Sequence, residues 1–161
     1  MKKLLALLIV FFVLFGCTIN NGVDENDFLR LKKEYSVESS FNPNLDLMNS
    51  YLNEVSLLRS NSYGSLAKAL DFEIASAQAF IYFTRALEES KQINYFLNHC
   101  STIEYKNTVS YLSLSAKYSD NANSMILLPN EVSMLRENQL ETTKEINAFA
   151  KELLASIRET C

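Results

Sequence analysis

The sequence predicts an all-α fold, an elongated up-down-up-down four-helix bundle with a short extra N-terminal helix. Three observations carry this. Beyond residue 16 the chain has only two glycines, Gly22 and Gly64, and two prolines, Pro43 and Pro129, whereas a sheet protein of this size consumes many of both in its turns. No Asn-Gly or Asp-Gly turn separates two apolar runs, since Asn21-Gly22 lies in a polar linker. Apolar residues recur at three- and four-residue spacing over long stretches.

The elements follow in order. Phe28, Leu31 and Tyr35 stand at helical spacing and predict a short amphipathic helix over 27–38, with Asp24, Glu25 and Asp27 favouring its positive end. Asn42-Pro43 reads as a cap followed by proline at the first helical position. It opens a helix over 43–60 with the stripe Met48, Leu52, Val55 and Leu58. The stretch 61–64, Asn-Ser-Tyr-Gly, breaks it. A long helix over 65–98 follows, free of glycine and proline. Its segment DFEIASAQAFIYF, 71–83, is apolar or small on nearly every side, which predicts burial on most faces. Ala75, Ser76, Ala77 and Ala79 are small enough for a neighbour to approach closely.

Ser101 and Glu104 fit a capping box. The helix after it, over 102–118, carries Tyr105, Val109, Leu112 and Ala116 on one face, and residues 120–123 are expected to fray or break it. Pro129-Asn130-Glu131 opens a last helix to about Thr160, with Val132, Leu135, Ile146, Phe149, Leu153 and Ile157 in its stripe. Within it, RENQLETTKE, 136–145, is poor in apolar residues. That section is expected either to be solvated or to pack against a polar patch. Short loops make successive helices antiparallel. Helices of more than 30 residues at 1.5 Å per residue are roughly 50 Å long, so a rod is expected.

The first residues carry the one strong functional signal. Lys2 and Lys3 precede an unbroken apolar run of 12 residues, Leu4–Phe15, with Gly16 and Cys17 after it. A helix across a bilayer needs roughly 20 residues, whereas this run has the length of the apolar core of a secretory signal peptide. Leu14-Phe15-Gly16-Cys17 resembles the lipobox of prokaryotic lipoproteins, with Phe15 where a small residue is usual. The resemblance is confined to residues 1–17. It implies cleavage before Cys17, a thioether-linked diacylglycerol on its sulfur, and export to the outer side of the cytoplasmic membrane or to the outer membrane. Residues 1–16 are then the signal peptide, 17–27 the lipidated cysteine and a flexible tether, and 28–161 the bundle domain.

Cys100 and Cys161 remain. Cys100 lies just past the end of helix 65–98, and Cys161 just past the end of helix 129–160. One antiparallel helix separates the two, so they run in the same direction and their cysteines fall at the same end. An exported compartment favours a disulfide between them.

Few catalytic constellations are open to this chain. Its single histidine, His99, excludes a di-iron site built from two Glu-x-x-His motifs, and it reads as a helix-terminus residue. Two glycines beyond the leader give no phosphate loop. A metal site from His99, Cys100 and Cys161 falls short of four ligands. Glu137, Glu141 and Glu145 share one helical face and read as solvated beside Lys144. No metal, cofactor or catalytic residue is therefore expected. Tyr82, Tyr95, Tyr105, Tyr111 and Tyr118 are candidates to line a cleft between the middle helices, although aromatics at such spacing usually form core.

The full chain carries a net charge of −4. Without Lys2 and Lys3, residues 17–161 hold 13 basic and 19 acidic residues, a net charge of −6. No basic stretch suits nucleic acid, and the lipid rather than surface charge is expected to hold the membrane. The expected function is a non-catalytic, membrane-tethered bundle that binds a protein or envelope partner. The alternative is a small-ligand or sensory domain with an inter-helix cleft.

Overall fold

The computed structural model describes residues 24–93 and 99–161, and these are all-helical, with no strand among them. Six α-helices are present: α1 (Glu25–Glu34), α2 (Leu45–Ser60), α3 (Gly64–Ser90), α4 (Ile103–Asn123), α5 (Pro129–Val132) and α6 (Gln139–Glu159), with a 3₁₀ turn at His99–Ser101.

Helix α1 is closed at both ends by its own residues. Asp24 accepts from the backbone N–H groups of Asn26 and Asp27, and Asp27 returns a bond to the Asp24 N–H, so donors left free at a helix start are satisfied. The acidic end of the expected tether is thus itself helical. At the other end Ser36 adopts φ 54°. The Ser36 N–H bonds to Lys33 O and the Val37 N–H to Lys32 O, a Schellman ending that uses two of the last free carbonyls. Val37 is fully buried, as is Phe28.

Asn44, not Asn42, caps α2, accepting from Asp46 and Leu47 N–H. Asn42 instead accepts from the Asn44 N–H. The expected start therefore moves two residues along. Gly64 begins α3 at φ 60°, in the left-handed region where glycine has no Cβ penalty. Twenty-seven residues make α3 about 40 Å long. It stops at Ser90 rather than continuing to 98, and residues 94–98 lie outside the described ones. Thr102 caps α4 by accepting from the Tyr105 N–H. The helix runs on to Asn123, so residues 120–123 neither fray nor break it.

The largest departure lies in the last helix. Pro129 does start a helix, but it makes a single turn, and Asn138 then turns left-handed at φ 62° before α6 begins. The break lets Arg136 and Gln139 point inward, as described below.

Helix α3 is central. It packs against α2, α4, α5 and α6, most extensively against α4, and α4 also packs broadly on α6. The small residues Ala75, Ser76, Ala77 and Ala79 are buried as expected. Ser115 of α4 donates to Ala79 O at 2.9 Å, a contact that requires close backbone approach. One apolar cluster joins α1, α2 and α3 through Phe28, Leu31, Val37, Met48, Tyr51 and Leu70. A second lies between α3, α4 and α6 through Ala86, Leu112, Ala116, Ala150 and Ile157. Burying the Phe, Leu, Ile, Val and Met side chains of these clusters contributes about 1.5–3 kcal/mol each.

Candidate functional site

In the middle of α3, Glu73 is completely buried. Its neighbours one turn away on the helix are Ala69, Leu70, Ser76 and Ala77, none of them charged, so its charge needs partners from elsewhere. Three elements supply them. Tyr51 of α2 donates to Glu73 Oε1 at 2.9 Å. Gln139, the first residue of α6, donates to Oε2 at 2.7 Å. The Arg136 guanidinium stands 3.6 Å from Oε1.

The partners are themselves fixed. The Gln139 side-chain oxygen accepts from the Arg136 N–H at 3.1 Å, which orients its amide donor toward Glu73. Arg136 lies 3.6 Å from the ring centroid of Phe41 and donates to Val37 O at 3.4 Å. Lys32, also buried, donates to Met134 O and sits 4.1 Å from the centroid of Phe28. The Schellman ending of α1 thus sets both Lys32 and the Val37 carbonyl against the segment before α6. One turn into α6, the Thr143 hydroxyl donates to Gln139 O at 2.8 Å and shares a hydrogen bond with the Ser76 hydroxyl at 3.1 Å.

Electrostatics follow from this packing. Burial pushes the Lys32 ammonium below the usual lysine range, against an opposing pull from Glu73. Burial first, and then the Glu73 charge, push the Tyr51 phenol far above its ordinary value. Tyr51 therefore stays protonated and acts as a donor. Donors from α2, from α6 and from the segment before α6 converge on this one carboxylate, and the cluster ties α1, α2, α3 and α6 together.

A second buried carboxylate, Glu131, caps α5. It accepts from the Leu128 N–H at 2.7 Å and lies 3.6 Å from Lys68 Nζ.

The residues singled out in the sequence fall in different places. Cys100 and Cys161 come together, with sulfurs 2.13 Å apart and Cα atoms 5.7 Å apart, at disulfide distance. They join the segment before α4 to the end of α6. Tyr82 stacks on Tyr118 at 5.6 Å and on Tyr111 at 6.1 Å between ring centroids. Tyr105 and Tyr111 are partly buried against the apolar cluster of α3, α4 and α6. Tyr95 and Cys17 lie outside the described residues, and His99 is placed in the 3₁₀ turn. Glu137, Glu141 and Glu145 are exposed. Among the described residues no three His, Cys, Asp or Glu side chains are grouped to hold a metal ion.

A cleft of about 530 Å³ lies apart from these tyrosines. Lys68, Asp71, Ile74 and Gln78 of α3 form one wall, and Met125 and Ile126 form the other. Ile126 is 89% exposed at its edge. On the α2 side, Asp71 is held by Arg59 in a two-pronged ion pair at 2.6 and 2.9 Å, which raises the guanidinium above its usual range.

Sequence reading missed the Glu73 cluster. The available signal was Glu73 flanked by Phe72 and Ile74, with Leu70 and Ala77 one turn away, a setting in which a carboxylate demands a partner. The polar section 136–145 was the matching half, since Arg136, Gln139 and Thr143 are buried there against Glu73 and Ser76. No protein-family model, curated protein or solved structure matches the chain.

Proposed function

We propose that this protein is an exported lipoprotein, anchored through diacylglycerol on Cys17, whose non-catalytic helical domain binds a protein or envelope partner. In this reading α2, α3, α4 and α6 form an elongated up-down-up-down bundle, and the membrane is contacted through the lipid at residue 17. The observation that carries the reading is the leader, with its short apolar run ending in Leu-Phe-Gly-Cys.

Two features of the folded part support it. Cys100 and Cys161 stand at disulfide distance, as suits an oxidising compartment. The buried ionisable groups Glu73, Arg136 and Lys32 are engaged with one another, with aromatic rings or with backbone carbonyls. A catalytic carboxylate needs to be within reach of a substrate, and this one is enclosed.

Membrane fractionation of cells carrying the native chain and the Cys17→Ala variant tests the anchoring, followed by in-cell crosslinking and mass spectrometry for the partner. The native chain is expected in the membrane fraction with a reproducible crosslinked partner, and Cys17→Ala is expected to be released. Equal membrane retention of both forms contradicts the lipid anchor.

A further inference from the structure

We propose that the side of α6 carrying Phe149, next to the last turns of α3, is a docking face for an amphipathic helix of a partner protein whose apolar stripe is flanked by lysine or arginine. The proposal rests on the partner-binding reading above and gives that partner a chemistry. Phe149 belongs to the apolar stripe of the last helix, yet it is 55% exposed. On α3, Leu87 is 39% exposed.

The face is open because α2, with 16 residues, is shorter than α3, with 27. The apolar cluster that joins α1 and α2 to α3 reaches no further along α3 than Ile81, and Phe41 meets Phe80 at 5.1 Å between ring centroids. Helix α3 runs on to Ser90. Helix α6 lies along it in the same direction, since Glu73 meets Gln139, Ser76 meets Thr143, and Phe83 shares a cluster with Ala150. The offset of 66 to 67 residues sets Leu87 level with Leu153. Thr142, Ile146, Phe149, Leu153 and Ser156 recur at alternating steps of four and three residues, the spacing of a helix-packing seam. Ile146 is buried and Leu153 partly buried in the core, while Phe149 is turned outward. A further helix laid here covers Phe149 and Leu87 where α2 does not reach.

Charge decides which helix fits. Glu145, Glu152 and Glu159 recur every seven residues, each directly before a seam position, Ile146, Leu153 and Thr160. These are the flanking positions from which packed helices reach each other's lysines and arginines. All three are exposed, and among the described residues none of them is in an ion pair. The cations of α6, Lys144, Lys151 and Arg158, each stand one residue earlier, about 100° further round the helix and away from the seam. Lys144 and Lys151 are moreover engaged with Glu141 and Asp120. At the end of α3 the exposed Glu88 and Lys91 offset each other. The seam is therefore bordered by three open carboxylates. A second copy laid antiparallel on the same face sets these glutamates against one another, and anionic headgroups are repelled by them in the same way. A basic amphipathic helix matches both the apolar seam and its acidic border.

The test is fluorescence anisotropy of two labelled designed peptides with the full chain in phosphatidylcholine nanodiscs, binding to empty nanodiscs being subtracted. Both peptides are amphipathic helices of about three heptads with leucine at the seam positions. One carries lysine at the flanking positions and the other glutamate. The native chain is expected to bind the lysine peptide and not the glutamate peptide. Glu145→Lys/Glu152→Lys/Glu159→Lys is expected to bind the lysine peptide about tenfold more weakly and to take up the glutamate peptide instead, a gain that misfolding does not produce. Phe149→Ser is expected to weaken the lysine peptide by about tenfold. Glu34→Lys/Glu38→Lys/Glu54→Lys, an equal change of net charge on exposed residues away from α6, is expected to leave binding within about twofold. Absence of lysine-peptide binding, a preference that does not exchange in the α6 variant, or an equal loss in the variant away from α6 overturns the proposal. The natural partner is read separately by crosslinking of the native chain in cells, so failure here and failure of the partner-binding reading are distinguishable.

Discussion

Gln139 donates from Nε2 to Glu73 Oε2 at 2.7 Å, joining two buried side chains 66 residues apart in the chain. The bond ties the start of α6 to the middle of α3, and the same carboxylate takes Tyr51 from α2 and faces Arg136. One side chain therefore couples three helices and the turn before α6.

Removing that carboxylate leaves three buried donors facing an empty space. Glu73→Ala is expected to lower unfolding free energy by about 3–5 kcal/mol, because it strands the Arg136 charge in the interior. Glu73→Leu combined with Arg136→Met is expected to cost less than Glu73→Ala alone, since no charge is then left unpaired. Urea unfolding followed by circular dichroism measures both. A cost below about 1 kcal/mol for Glu73→Ala contradicts the role given to the cluster.

Two groups give the protein an alkaline signature. Burial lowers the Lys32 ammonium from its ordinary value of 10.5. Between that lowered value and 10.5 the folded chain has released a proton that the unfolded chain keeps, so this group makes stability rise with pH. Tyr51 is raised from 10.0. Its contribution is fully present below pH 10 and declines above it, where the unfolded phenol ionises and the folded one does not. Denaturant midpoints from pH 7 to 11 should show the rise reduced in Lys32→Met and the decline above pH 10 reduced in Tyr51→Phe. Unchanged profiles in both variants contradict the burial of these groups.

Joining Cys100 to Cys161 closes a loop of sequence separation 61. The chain-entropy account puts the stabilisation at about 4 kcal/mol as an upper figure. Cys161→Ser is expected to lower the denaturant midpoint and to loosen amide exchange first near the C-terminal end of α6. Equal stability under oxidising and reducing conditions contradicts a structural disulfide.

Much of the fold was legible because periodicity and punctuation are local. The stripes of Met48–Leu58 and of Leu112 and Ala116 marked α2 and α4, and the scarcity of glycine and proline excluded a turn-rich sheet. The pairing of Cys100 with Cys161 was expected from the sequence, and the two stand at disulfide distance. Other features depend on contacts distant in sequence. Asn138 turns left-handed, a conformation asparagine tolerates better than most residues, but what the turn achieves, bringing Arg136 and Gln139 to Glu73, depends on contacts far away in the chain. The polar section 136–145 shows half of an arrangement whose other half, Glu73 and Ser76, stands more than 60 residues earlier. The stacking of Tyr82, Tyr111 and Tyr118 likewise follows from how α3 lies on α4. The capping shift from Asn42 to Asn44 is smaller in kind, since either side chain can accept at a helix start.

The most direct test of the proposed function is the intact mass of the protein purified from its own membrane. The expected species begins at Cys17, carries diacylglycerol on that residue, and is two hydrogens lighter than its reduced form because Cys100 and Cys161 are joined. A chain that retains residues 1–16, or that begins at Cys17 with a free thiol and no lipid, contradicts the account.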